Sequence, residues 1–496
     1  MRLSATEIAQ ATSGQLFAKS EAREQVATAL TWDSREVQPG ALYVALPGER
    51  VDGHDFVSAA VKAGAVCVLV SRALPPQVMV GVVASGVAVV QVADTAAAVT
   101  DLARAWRKRL AGRVIGITGS TGKTTTKNLV RDVLAAAGSV TATKGNQNNE
   151  LGVPATVLAA DADTQNVIVE MGMRGLHQID QLCEFVRPNW GLVTNVGESH
   201  IELLGSRENI ARAKAELFES LEAGSYAFVN AADDMADKLV EFAGLAKRDV
   251  KPVYFDGSLD AAEREAGRIE GDAAAQVVWA EDIALDDQGR PSFTLCANGF
   301  AHLGSAAGTV KVPCKLPLMG LHNVSNACSA AAVGFASGMS SQAVADALAG
   351  AVGESGRQEI IASPRGFVVI NDAYNANPDS MRASLSTFAS FAAKGRRIAV
   401  LGDMGELGDF APQLHKEVGA VAAASNLDML ICAGELALGI YEGALGAGMD
   451  SSRIVRVADW QQALDVLAPQ VGEGDAILVK ASHFMGLDRV VKGLVD

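Results

Sequence analysis

Short apolar runs alternate with amphipathic stretches along most of the chain, and their order predicts an α/β protein. Residues 1–111 carry three runs of β type, ALYVAL, AVCVLV and VAVVQV, and end in TAAAVTDLARAWRKRL, a helical segment. From Arg113 the pattern predicts a strand (RVIGIT), a loop (GSTGK) and a helix (TTTKNLVRDVLAAAG) with Gly138 as its C-terminal stop. NVIVEM (166–171) and WGLVTNV (190–196) predict further strands with helical spacers, hence a parallel sheet with helices on its faces. Residues 255 to about 318 depart from this texture. There VVWAEDIAL and PSFTLCA flank the turn-rich DDQGR, which predicts a β-hairpin in or beside the sheet. Helical GLHNVSNACSAAAVGFASG and SSQAVADALAGAV close this portion near residue 354. Beyond it FVVIND, RRIAVLGDM, DMLICAG, SRIVRVAD and DAILVKAS predict a second, Rossmann-like α/β unit. Three domains are expected, at 1–111, 112–354 and 355–496.

The length agrees: 496 residues exceed what one hydrophobic core serves. A net charge of −15 supplies no general field for nucleic acid or anionic lipid, so a polyanionic substrate needs a local site. No apolar h-region follows the first residues, and no apolar run approaches the roughly 20 residues that span a membrane. The six cysteines form no CxxC pair and show no zinc-ligand spacing. These features lead to the expectation of a reduced, cytoplasmic protein without membrane insertion or a nucleic-acid partner.

The candidate chemistry begins at Gly119-Ser120-Thr121-Gly122-Lys123-Thr124-Thr125. Glycines between a strand and a helix let backbone N–H groups converge on phosphate oxygens, and the helix N-terminus adds the positive end of its dipole. Lys123 can reach β- and γ-phosphates, and the Thr124 hydroxyl can ligate Mg²⁺. The spacing departs from the full Walker pattern, because Ile117 stands six before Lys123 and the nearest glycine is Gly116. A glycine-rich turn with an accidental GKT is the competing reading; the flanking strand and helix favour a nucleotide site.

Glu170 ends the strand NVIVE, at the edge where α/β proteins place ligand chemistry, and His200 follows the strand WGLVTNV in GESH. Alone they read equally as a helix-start charge and a loop histidine; with a phosphate loop on the same sheet they read as Mg²⁺ ligands. Lys214 points into an apolar stripe formed by Ile210, Leu217, Phe218 and Leu221. Either it snorkels to solvent or finds a carboxylate, or its amine is depressed in pKa and takes up CO₂ as a carbamate.

GSTGKTTTK, GNQNNELGVP (145–154), VEMGMRGLHQI (169–179), TNVGESHIELLGS (194–206), IARAKAEL (210–217), GLHNVSN (320–326), NDAYNANPDSM (371–381) and VLGDMGELG (400–408) together resemble the Mur ligases. TWDSREVQPGALYVALPGERVDGHDF (31–56) fits the family's UDP-binding N-terminal domain. The resemblance spans nearly the whole chain and implies three domains: a UDP-binding α/β domain, a central ATPase-type domain and a Rossmann-like C-terminal domain. It implies ATP-dependent amide formation between UDP-MurNAc-tripeptide and D-Ala-D-Ala through an acyl phosphate. Separately, a monomer is expected. It also implies two Mg²⁺ ions, with Thr124 and Glu170 on the first, His200 on the second, and Lys214 as the carbamylated lysine supporting the second. By the same resemblance Asn149 and His200 lie near the reacting phosphate, and His322, Asn323 and Asn326 meet the adenine end. Arg357 and Asp372 match residues reaching the γ-phosphate and the ribose. Ser34 and Arg35 match the UDP loop, which otherwise reads as a solvated turn. Asn375, Asn377, Pro378 and Ser380 fit the segment lining the dipeptide site, and equally a structured turn after a strand. Lys480 and Ser482 keep their positions in a C-terminal motif where His483 replaces the family's Arg.

Other classes are weighed against this. A sister ligase of Mur or folylpolyglutamate type would add a single amino acid; GNQNNELGVP and NDAYNANPDSM argue against it, and no DNPR-type segment is present. A phosphate-loop kinase or GTPase would not need the further α/β domains, and no guanine-reading NKxD occurs. A non-catalytic scaffold would not need Lys123, Glu170, His200 and Lys214 together.

Overall fold

The computed structural model describes residues 1–48, 51–304 and 309–495, and within them three α/β units are built on separate sheets. In the first unit the β-type runs become strands Ala41–Val44, Ala65–Val70 and Ala88–Gln91. They pair in parallel, with Ala29–Thr31 on one side and an antiparallel Gln15–Phe17 at the other edge. Leu42, Val44, Cys67 and Leu69 bury on one face and Tyr43, Val68 and Val70 on the other. Both faces are therefore covered, which is why these runs are apolar throughout.

The central sheet takes its described strands in the order Val310–Lys315, Pro291–Asn298, Val277–Leu285, Lys251–Asp256, Tyr226–Asn230, Trp190–Val193, Arg113–Thr118, Asn166–Glu170, Val140–Ala142. Its strands run parallel from Val140–Ala142 through Val277–Leu285, so Thr118, Glu170 and Val193 all end at one edge. The expected hairpin does not stand apart; it prolongs this sheet antiparallel, turning through Gly289 at φ 71°.

Two glycines have packing roles. Gly116 leaves room for helix Arg207–Glu219, since a Cβ there would lie 2.7 Å from Leu217 Cδ1. That accounts for its place one residue off the Walker spacing: it belongs to the strand core and not to the loop. The phosphate-loop helix ends at Ala135, before Gly138, which lies outside the left-handed region. A Cβ on Gly138 would come within 1.5 Å of Gln165 Oε1, so close approach and not a left-handed stop is what its backbone serves.

The C-terminal sheet runs Glu359–Ala362, Val368–Asp372, Ala476–Lys480, Arg397–Gly402, Met429–Ala433, Ile454–Val457, parallel apart from the first pair. The last strand in sequence thus sits inside the sheet and brings Lys480 to its C-terminal edge. All six cysteines are buried and free, and burial pushes the Cys67 thiol up to about 12. Among the described residues no helix is long and apolar enough to cross a membrane.

Candidate active site

The phosphate loop is shaped by glycine and pinned by its neighbour. Gly119 (φ 152°) and Gly122 (φ 75°) hold positive dihedrals, and a Cβ on Gly119 would sit 1.8 Å from Thr194 Oγ1. Ser120 N–H donates to Asn195 O at 3.0 Å and Thr121 N–H to Asn195 Oδ1 at 2.9 Å. The Thr194 hydroxyl returns a hydrogen bond to Thr121 O at 2.6 Å. Lys123 folds over the loop, its Nζ donating to Gly119 O at 2.7 Å and Ser120 O at 3.3 Å. Burial pulls the Lys123 ammonium below its ordinary range; Glu170 opposes that shift and Arg357 adds to it.

At the same edge the buried Thr124 hydroxyl donates to Glu170 Oε1 at 3.2 Å. Glu170 is 1% exposed, and its Oε2 is buried without a hydrogen-bond partner, 3.9 Å from Lys127 Nζ. A desolvated carboxylate oxygen left open beside a hydroxyl is costly for folding and is the donor pair a Mg²⁺ ion takes. The residues fit the ion. Among the described residues no group of three or more His, Cys, Asp or Glu side chains is arranged to hold a metal. An ion here would therefore depend on the hydroxyl, substrate oxygens and water.

Lys214 is 1% exposed, so of the alternatives its helix position leaves open it does not snorkel to solvent. Burial holds its amine well below the ordinary lysine value, the Lys123 charge adds to the shift, and Asp233 opposes it. His200 sits in a left-handed conformation (φ 63°), with Nδ1 2.6 Å from Glu406 Oε2 across the boundary with the C-terminal unit. Arg174 approaches the same carboxylate at 3.3 Å, and the imidazole holds the Glu406 carboxyl below its usual range.

A cavity of about 270 Å³ opens beside the phosphate helix, lined by Thr125, Asn128, Met319, Asn323, Glu354 and Arg357 among others. Asn323 Nδ2 donates to Met319 O at 2.7 Å, and Asn326 Nδ2 to Asn323 Oδ1 at 2.8 Å. Burial lowers His322 to about 4, with Asp372 opposing. Asp372 accepts from Lys480 Nζ at 2.7 Å. Arg357 lies over the Tyr374 ring at 4.4 Å with a buried, unpartnered Nε, and His483 packs on the same tyrosine at 5.9 Å.

Other candidates hold structural bonds. Asn149 Oδ1 accepts from Gly152 N–H at 2.9 Å at the start of helix Gly152–Ala159. Its neighbour Asn148, absent from the sequence reading, donates to Glu170 Oε1 at 2.8 Å. Asn377 and Ser380 form a capping box around Pro378 at the start of helix Pro378–Ser390. Asn375 O accepts from Lys480 Nζ at 3.0 Å, and Ser482 Oγ from Gly405 N–H at 2.9 Å. Ser34 and Arg35 lie in a turn of the N-terminal unit, where Arg35 is 88% exposed and pairs with Asp33 at 2.6 Å. Lys127, Asn148, Tyr374 and Glu406 are the site residues missed. Lys127 had a sequence signal, standing one helical turn after Lys123; the others meet the site through chain folding alone.

A phosphate loop at the parallel edge of one α/β unit, faced by polar side chains of a second, defines a multidomain phosphate-loop protein. Models of the Mur ligase family match along the chain: the catalytic domain at 26–107, the middle domain at 117–334 and the glutamate ligase domain at 356–483. The UDP-N-acetylmuramoyl-tripeptide–D-alanyl-D-alanine ligase of Bacillus subtilis (strain 168) is 34% identical over 493 residues, covering 99% of this chain and 97% of the relative. That of Mycobacterium tuberculosis (strain H37Rv) is 37% identical over 535 residues, covering 100% and 98%. A crystal structure of MurF from Acinetobacter baumannii superposes with a TM-score of 0.80 at 28% identity, covering 100% of this chain and 99% of that one. The chain belongs to the Mur ligase family, as its motifs led one to expect.

Proposed function

We propose that this chain is the ATP-dependent ligase that joins D-alanyl-D-alanine to UDP-N-acetylmuramoyl-tripeptide in the cytoplasm, releasing ADP and phosphate. The relatives that bear this activity in their names align over essentially its full length. The observation that carries the chemistry is the open Glu170 oxygen beside Thr124 at the mouth of the phosphate loop. A single-amino-acid ligase of the same family is not favoured, since the named relatives share the dipeptide acceptor.

In this reading the peptide carboxylate takes the γ-phosphoryl group of ATP, which turns a poor acyl donor into one with a good leaving group. The dipeptide amine then attacks the acyl carbon and phosphate departs. Lys123, now folded on its own loop carbonyls, turns its ammonium to the phosphates, where charge accumulates. Thr124 and Glu170 would hold one Mg²⁺, and His200 with a carbamylated Lys214 a second; these ions supply charge neutralisation. Lys214 suits that modification because only a neutral amine adds CO₂, and its burial favours the neutral form. The cavity beside Asn323 receives the adenine, with Arg357 on its wall and Asp372 behind the lining residue Gln358, whose N–H it accepts at 3.3 Å. Ser34 and Arg35 receive the uridine diphosphate: a guanidinium 88% exposed in a surface turn is available to an anion.

Oxygen-18 placed in the muramyl-peptide carboxyl should appear in the released phosphate, and phosphate release should require both substrates. Label that never enters the released phosphate overturns the acyl-phosphate route.

A further inference from the structure

We propose that Asp379, assisted by Arg382, is a positioning residue that holds the loop presenting His200, so that docking of the C-terminal unit completes the site. The inference rests on the ligase reading above, in which His200 works beside the phosphates.

The loop 194–200 is secured on two sides. Within its own unit, Val196 N–H donates to Asp233 Oδ2 at 2.6 Å and Gly197 N–H to Ser120 Oγ at 2.8 Å. The next amide, Glu198 N–H, is claimed from the other unit, donating to Asp379 Oδ2 at 3.1 Å. Arg382 Nη2 bridges the seam, 2.9 Å from Asp379 Oδ1 and 2.8 Å from Glu198 Oε2. Asn377 donates to the hydroxyl of Ser199, which itself reaches Ser120 O at 3.3 Å. A continuous set of bonds thus runs from the C-terminal helix to the phosphate loop, through the residues just before His200.

The geometry fixes the residue types. Asp379 stands in the first turn of helix Pro378–Ser390, where the dipole favours a carboxylate. An acid at that position ordinarily serves its own helix; here one oxygen is spent on the neighbouring unit. Glycine at 197 makes room for Asp379: a Cβ there would lie 1.9 Å from Asp379 Oδ2 and force that carboxylate to move. The strained left-handed His200 needs such outside restraint to keep one orientation. With the C-terminal unit undocked, Glu198 N–H and His200 Nδ1 both lose the partners seen here.

The test is steady-state kinetics of the full-length chain with ATP, UDP-MurNAc-tripeptide and D-Ala-D-Ala, alongside direct titration of ATP binding and thermal melts. Asp379→Ala should lower kcat by about tenfold to a hundredfold. Its ATP dissociation constant should stay within about twofold of wild type, and its melting temperature should be unchanged. Asp379→Asn keeps an acceptor for Glu198 N–H and should regain most of kcat. Gly197→Ala should reproduce the alanine phenotype from the opposite side of the seam. Wild-type kcat in Asp379→Ala overturns the proposal, as does a loss matched by equal weakening of ATP binding or by unfolding. A wild-type enzyme without acceptor-dependent phosphate release removes the ligase reading instead, and this proposal falls with it.

Discussion

Helices Lys123–Ala135 and Arg207–Glu219 cover opposite faces of the central sheet, and each buries a lysine near the same edge. Lys127 and Lys214 are both 1% exposed. Lys127 donates to Thr143 O at 2.8 Å and Gly145 O at 2.7 Å and faces Glu170. Asp233 opposes the loss of charge at Lys214, while Lys123 adds to it. Burial lowers both amines, but Glu170 and Glu354 oppose the shift at Lys127, whose ammonium ties the phosphate helix to the segment before Asn146, whereas Lys214 is biased further towards its neutral, reactive form. Accessible area alone does not tell a structural cation from a chemical one; the acceptors around it do.

The widest break between the two faces should come from activity. Lys214→Ala should lose turnover on the order of 10²–10³-fold, and short carboxylic acids should restore part of it. Lys123→Ala should lose at least about 10³-fold with no such rescue, which a phosphate-release assay with and without formate distinguishes. Stability should invert the ranking. Lys127→Met strands Glu170 and two carbonyls and should cost about 3–5 kcal/mol, whereas Lys214→Met should be neutral or stabilising, read from denaturant midpoints.

A pH series in CO₂-free buffer sharpens the contrast. Because the folded Lys214 value lies below the ordinary lysine value of 10.5, the unfolded chain binds the extra proton between the two. Stability from this group therefore rises as pH climbs towards 10.5, and Lys214→Met should remove that rise. The smallest effect concerns His322. Its folded value near 4 against 6.5 means stability falls as pH drops through that window, and His322→Gln should flatten the slope.

Much of the fold was legible because each parallel strand is a short apolar run between turn signals; Arg113–Thr118 and Ala65–Val70 coincide with RVIGIT and AVCVLV. The hairpin was legible from DDQGR, and its place beside the sheet too, but not which strand it adjoins, which depends on pairing with Lys251–Asp256 far from the turn. Lys214's place in the apolar stripe could be read from helical spacing. The contact of Asn148 with Glu170 was not legible, because adjacent asparagines in GNQNN diverge only once the loop is folded. Glu406 and Asp379 were invisible as partners of the His200 loop, since each meets it from another domain.

Gly122 has no side chain because Asn326 occupies the space: a Cβ would fall 2.7 Å from its Oδ1. That amide leans in turn on Asn323, and Asn323 on the carbonyl of Met319, part of the cavity wall. One row of carboxamides therefore joins the turn that would grip a triphosphate to the recess that would seat its base. Crowding either end must be felt at the other, so the two halves of a nucleotide are measured by a single ruler.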